Sequence, residues 1–395
     1  MSDETKRENG AVPFHVIGSP LSPQPTGPFC QGVAVGRRLF PSGHRGIDPR
    51  TGALAVGNVE TRVRQTLENI RVLLEAEGSS FDRVTTTFVM VRDLYRHRPL
   101  VDTLYREYFG QHRPARTMVE ISRLNQDDDV EIEMWASRDP VEVIETDRVP
   151  RPSSPFAQAV RDGELLFLSG ICPREHHGDG LEAFERQARV VFEEVGTLLK
   201  AGGSDFARVV QSRVFVRDLF RFKDTIDRLY LEYFGSHRPP RTLLEVNRLN
   251  RDRPLELELV GLRHEPGVAP PRAIQVQGLP QPDGPCSHGM VGGGVVFLSG
   301  IRAVSAGAPG QRDSVERQAR QAFENVAAVL KAAGSGLEYV VQNRVYVRDM
   351  FSHRPVVNRL CEEYFANGLR PRTILEVNRM GQDSDLEIQM AASAP

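Results

Sequence analysis

HRPARTMVEISRL (112–124), HRPPRTLLEVNRL (237–249) and LRPRTILEVNRM (369–380) are one phrase written three times in a single chain. Its second arginine falls at Arg116, Arg241 and Arg372, so the copies are spaced by 125 and 131 residues. A period of that length is a whole domain, because solenoid repeats run to only a few tens of residues. The surroundings keep step. FVMVRDLY (88–95), VFVRDLF (214–220) and VYVRDMF (345–351) lie upstream of the phrase, and VEIEM (130–134), LELEL (255–259) and LEIQM (386–390) lie downstream. Three units follow, at 14–138, 142–264 and 272–393.

Within each unit the pattern predicts strands, a long helix, a strand, a shorter helix and closing strands. In the long helix, apolar residues recur at helical spacing: Val63, Leu67, Ile70 and Leu74, then Phe184, Ala188, Val191, Val195 and Leu198, then Val315, Ala319, Ala322 and Val326. Asp313 with Glu316 reads as a capping signal, and Gly78, Gly202 and Gly334 stand where these helices should stop. The shorter helix carries Val101, Leu104 and Tyr108, matched by Ile226, Leu229 and Tyr233 and by Val357, Leu360 and Tyr364. VEIEM and its counterparts alternate, which places carboxylates on one strand face and apolar side chains on the other. The class is therefore α+β, a mixed sheet backed by two helices, and the bare sheet face invites closure of the three units about a pseudo-threefold axis. Pro-rich linkers near 147–155 and 265–272 are expected to keep the units close.

The chain has 395 residues, with 50 Lys and Arg against 52 Asp and Glu, for a formal net charge of −2. That length excludes a single small module, and that balance disfavours wholesale nucleic-acid binding. The four cysteines, Cys30, Cys172, Cys286 and Cys361, form no C-x-x-C pair, so a disulfide framework and a zinc ribbon are both disfavoured and a reducing, cytoplasmic setting fits. No apolar leader and no run of eighteen apolar residues occurs, so neither a signal peptide nor a membrane span is expected. His176 and His177 lack a spaced third ligand and make a poor metal site. The Gly292–Gly294 run reads as a hairpin turn, not a phosphate cradle, because no Lys-Ser/Thr follows it.

Taken in order, the GPFCQG opening (27–32), the LFPSG, LFLSG and VFLSG strands, the V-x-V-R-D strand ends and the RPxR-T-x-x-E-V phrase resemble the RidA/YjgF family of enamine/imine deaminases. The resemblance covers nearly the whole chain in three copies. It implies chorismate-mutase-like units assembled as a trimer with ligand clefts between neighbours, here supplied by one chain as an intramolecular pseudo-trimer; no cofactor is expected, because an imine carbon is already electrophilic once its nitrogen is protonated, and no metal site is expected. It also implies that Arg116, Arg241 and Arg372 grip a substrate carboxylate, for which a planar guanidinium fork is suited. The alternative is an arginine pinning a strand end to a neighbouring acid. Glu131, Glu256 and Glu387 match the water-activating glutamate, against the alternative of a solvated strand face. Ser42, Ser169 and Ser299 match the serine of the Ser-Gly strand, as ligand donors or as turn-stabilising groups.

Departures from the family pattern are as informative. Phe29, Phe156 and Cys286 stand where the family has tyrosine, and His44, Ile171 and Ile301 where it has glutamine. The family's asparagine survives only as Asn358, with Asp102 and Asp227 as counterparts. The second carboxylate, Glu133 or Glu258, becomes Gln389 in the third copy and so reads as dispensable there. His112 and His237 have Leu369 as their counterpart, which excludes a threefold histidine catalyst. Three functions compete: hydrolysis or tautomerisation of a small carboxylate-bearing imine, enamine or enol; a biosynthetic reaction on a larger, more apolar acid; and non-catalytic metabolite sensing.

Overall fold

The computed structural model describes residues 14–175, 178, 180–303 and 313–394, and His176–His177 fall outside them. The first sheet orders its strands Phe14–Ile17, Gly32–Val35, Arg38–Pro41, Val130–Ser137, Val84–Val91 and Ala115–Glu120. Only the last two are parallel, and such a pair needs a crossover. Helix α2 (Leu94–Phe109) supplies it, while α1 (Val59–Ala76) packs beside it on the same face. The second unit repeats this with α3 (Leu181–Ala201) and α4 (Leu219–Phe234), and the third with α5 (Val315–Ala332) and α6 (Met350–Tyr364). Each unit is thus a mixed sheet with two helices, as the repeated pattern predicts. Among the described residues no helix is long and apolar enough to cross a membrane.

Two motif residues explain themselves at the crossover. Asp93, Asp218 and Asp349, the last letters of V-R-D, accept from the backbone N–H of Arg96, Arg221 and Ser352 and so cap α2, α4 and α6. The glutamate of the phrase caps the same helices: Glu120, Glu245 and Glu376 accept from the N–H of Leu94, Leu219 and Met350 at 2.8, 2.9 and 2.8 Å. Helix α5 is capped by Ser314 accepting from the Arg317 N–H, so the expected Asp313–Glu316 box is displaced by one residue. Its first apolar residue, Val315, is only half-buried, since it lies in the exposed first turn. Gly293 and Gly294, with φ of 59° and 73°, turn the chain between antiparallel strands, which is the expected hairpin.

The bare sheet faces meet one another. One buried cluster joins Phe88, Phe215 and Tyr346 from the three units, and a second joins Trp135, Phe167 and Phe297. At the rim the contacts run in a cycle. Glu120 and Arg248, Glu245 and Arg379, and Glu376 and Arg123 pair as β-bridges. The same arginines stack on Tyr95, Phe220 and Phe351 at 4.9, 5.1 and 4.5 Å. The Pro-rich segment 147–155 is not a connector between units, because strand Glu142–Ile144 already belongs to the second sheet. It is an internal loop of the second unit, and it walls the cavity described below.

Between the sheets lies a polar cluster whose importance the sequence understates. Strand register sets Arg213 opposite Glu258, but Phe88 opposite Glu133 and Arg344 opposite Gln389. Arg213 therefore pairs with Glu258 inside its own unit, and Arg344 crosses a unit boundary to Glu133 at 2.6 and 3.0 Å. Thr373 donates to Glu133 at 2.7 Å, and the ring of Phe88 lies under both guanidiniums. The second carboxylate is dispensable only where Gln389 replaces it, since in the other two units it neutralises a buried arginine.

Candidate active site between the units

Each phrase arginine reaches across a unit boundary, and its backbone is fixed there by the Ser-Gly strand of the next unit. The Arg116 N–H donates to Ser169 Oγ at 2.9 Å, and Ser169 Oγ donates to the Ala157 carbonyl at 2.6 Å. Ser299 serves Arg241 and the Ser287 carbonyl in the same way, at 3.0 and 2.6 Å. Ser42 serves Arg372 and the Cys30 carbonyl, at 3.1 and 2.6 Å. With its one proton committed to a carbonyl, each serine acts as a clasp between units and has no proton to donate to a ligand. The turn-stabilising alternative is therefore the one these bonds favour.

Across the boundaries Arg116 lies by Glu256, Arg241 by Glu387 and Arg372 by Glu131, each arginine near enough to favour ionisation of the glutamate. All three glutamates are buried, which removes the solvated-face reading. Each packs a carboxylate oxygen against the glycine of Ser-Gly, at Gly43, Gly170 and Gly300, so closely that a Cβ there would overlap it. Gly170→Ala is expected to displace the Glu256 carboxylate and cost about 1–3 kcal/mol, read from urea unfolding.

From this common plan the three clefts diverge. In the second, the Arg241 Nη2 donates to Asp227 at 2.6 Å and to the Asp283 carbonyl at 2.8 Å, and Arg302 pairs with Glu387 at 2.8 Å. A cavity of only about 20 Å³ remains beside Gly300 and Arg302. In the third, Arg45 lies 3.8 Å from Glu131, the Arg372 guanidinium covers the Phe29 ring at 5.2 Å, and the cavity beside them is about 50 Å³. Neither small cavity is lined by its phrase arginine.

The first cleft is open. A cavity of about 200 Å³ is lined by Arg116, Met118, Phe156, Ser169, Cys172 and Glu256, with segment 149–154 as its outer wall. The Arg116 guanidinium is held between the Tyr105 and Phe156 rings at 5.1 and 4.7 Å, and its Nη2 donates to Asp102 at 2.7 Å. Its Nη1 is buried and has no hydrogen-bond partner among the described residues. Glu256 meets no arginine at contact distance among the described residues; instead the Cys172 thiol donates to it at 3.1 Å. Burial raises Glu256 to about 7, and the neighbouring Glu258 charge adds to the rise against the Cys172 hydrogen bond and the Arg116 charge. A carboxyl that exchanges its proton near neutrality, lining the same cavity as a guanidinium, is suited to bind an organic acid and move a proton beside it.

The predicted residues fall as follows. Arg116, Glu256, Ser169 and Phe156 come together at the open cleft. Arg241, Glu387, Ser299 and Cys286 come together at the second, where burial pushes the Cys286 thiol up and the Arg241 charge opposes that rise. Arg372, Glu131, Ser42 and Phe29 form the third; Asn358 stands at the register of Asp102, with its Oδ1 buried and unpartnered among the described residues. Reasoning from sequence missed Tyr105, Cys172 and the arginines that occupy the two narrow clefts. The signal was available, because Arg45, Cys172 and Arg302 share one position, two residues beyond the Ser-Gly glycine.

Three helix-backed units, each with a mixed sheet and with an arginine of one unit meeting a carboxyl of the next at every boundary, define a class of repeated α+β proteins. The family profile described as Endoribonuclease L-PSP matches residues 20–138, 146–262 and 277–394, so the chain belongs to that family, the RidA/YjgF family, in three tandem copies. A RutC family protein of Pyrococcus horikoshii is 40% identical over 124 residues, covering 31% of this chain and 98% of its own. The 2-iminobutanoate/2-iminopropanoate deaminase of Salmonella typhimurium is 38% identical over 125 residues, covering 31% of this chain and 96% of its own. The human protein of that name is 33% identical over 126 residues, covering 32% and 91%. Each relative thus corresponds to one unit.

Proposed function

We propose that the chain is a cofactor-free imine/enamine hydrolase that works as an intramolecular trimer and uses the cleft between its first and second units. The observation that carries this reading is the joining of Arg116 and Glu256 in the wall of one cavity of about 200 Å³. Deaminase relatives at about this similarity support the reaction class. Arg116 holds the substrate carboxylate. Glu256 takes a proton from water as the water oxygen bonds to the imine carbon and passes it to nitrogen, giving a carbinolamine; it then moves the hydroxyl proton to the same nitrogen. The carbon–nitrogen bond then breaks to give a keto acid and ammonia. The partner is a small carboxylate, neither nucleic acid nor membrane, and four free cysteines fit a reducing cytoplasmic setting.

The test is ammonia release from 2-iminobutanoate generated in situ. Arg116→Ala removes a charge-assisted contact of about 1.5–3 kcal/mol, so kcat/KM is expected to fall roughly tenfold to a hundredfold. Arg241→Ala and Arg372→Ala should fall far less if their folds hold. No acceleration over buffer by the intact protein would remove the proposal.

A further inference from the structure

Beyond its one glutamate, the wall of the open cleft is strongly basic, and two of its arginines are peculiar to it. Arg251 and Arg253 stand where the first unit has Gln126 and Asp128 and the third has Gln382 and Ser384. The cavity is lined by both, together with Arg98 and Arg116. Arg98 is anchored, since it donates to Ser154 at 3.0 Å and lies 3.7 Å from Asp102. Arg253 is different. It is 9% exposed, and among the described residues its Nη2 donates only to the Arg174 carbonyl and its buried Nε has no partner. No acid pairs with it among the described residues.

A guanidinium removed from water without a counter-charge is costly, and it persists where a ligand supplies the missing anion. Arg98 shares Asp102 with Arg116 and so belongs to the Arg116 side, which Phe156 covers; the charge of Arg253 reaches Cys172, the thiol that donates to Glu256, and Arg253 lines the same cavity. We propose that the open cleft takes a dianionic substrate, one carboxylate on Arg116 and a second anionic group, carboxylate or phosphate, on Arg253. This rests on the hydrolase reading and narrows its substrate class. A bidentate fork suits either anion, and a monoanionic acid would leave Arg253 unpaired.

The experiment compares kcat/KM for imines generated in situ from glutamate and from 2-aminobutanoate, in the intact protein and in Arg253→Ser, a change to the third unit's own residue. The dianionic imine should be preferred at least tenfold, and Arg253→Ser should collapse that ratio to within about threefold of unity. A preference for the monoanionic imine, or a ratio unmoved by Arg253→Ser, overturns the proposal. If neither imine is hydrolysed, the hydrolase reading fails by itself. The anion site is then judged by calorimetry with succinate, 2-phosphoglycolate and butyrate. Binding of either dianion at least tenfold tighter than butyrate, lost in Arg253→Ser, sustains the site and says which second anion it prefers; equal binding of all three sinks it.

Discussion

Glu256→Gln is expected to lower kcat for imine hydrolysis about 10²–10⁴-fold while KM moves little, because the amide keeps the shape of the side chain and cannot accept the proton of water. That range corresponds to about 2.7–5.5 kcal/mol of transition-state stabilisation. The carboxylate must be ionised to act, and burial holds its pKa at about 7. In the intact protein kcat/KM should therefore rise about tenfold per pH unit on the acid side and level off above 7; in Glu256→Gln that limb should be lost. Glu131→Gln and Glu387→Gln should each cost less than twofold, since Arg45 and Arg302 face those carboxylates and the cavities beside them are small. Equal losses from all three substitutions would show that the clefts work alike, and would refute the assignment of chemistry to the first.

Triplication, the helix faces and the alternating strand were legible because each is written in a local period that one unit reads by itself. The phrase was legible too, yet its letters divide differently in space than in sequence. Its arginine belongs to a cleft, its glutamate caps a helix, and its backbone is clasped by a serine of another unit. Clefts between units came only from the family resemblance, and the individual pairings across a unit boundary escaped. Glu133 meets Arg344 at a separation of 211 residues and Thr373 at 240, and no window along the chain contains both partners. The asymmetry of the clefts escaped for a subtler reason. Arg45 and Arg302 sit in register with Cys172, but that an arginine there fills the pocket shows only once the glutamate is known to lie against the adjacent glycine.

The second large effect concerns stability. Glu133→Ala should destabilise the chain by about 3–5 kcal/mol in urea unfolding, because Arg344 would be left buried without its counter-charge. Glu133 and Arg344 are both nearly inaccessible, so water cannot take over the lost contact. Arg344→Met combined with Glu133→Leu should recover most of the loss, as apolar replacement of a whole buried pair commonly does. The protein already carries a partial version of that experiment: at the same registers Phe88 replaces one arginine and Gln389 one glutamate, and the shared core still closes. Although burial opposes it, the Arg344 charge and hydrogen bonds hold the Glu133 carboxyl below its ordinary range. Its stabilisation is therefore complete above the unfolded value of about 4.3 and is lost as pH falls through the lower, folded value. Acid unfolding of the double variant should be correspondingly less steep, and an unchanged acid profile together with a loss below about 1 kcal/mol in Glu133→Ala would show that the pair is not what holds the three sheets together.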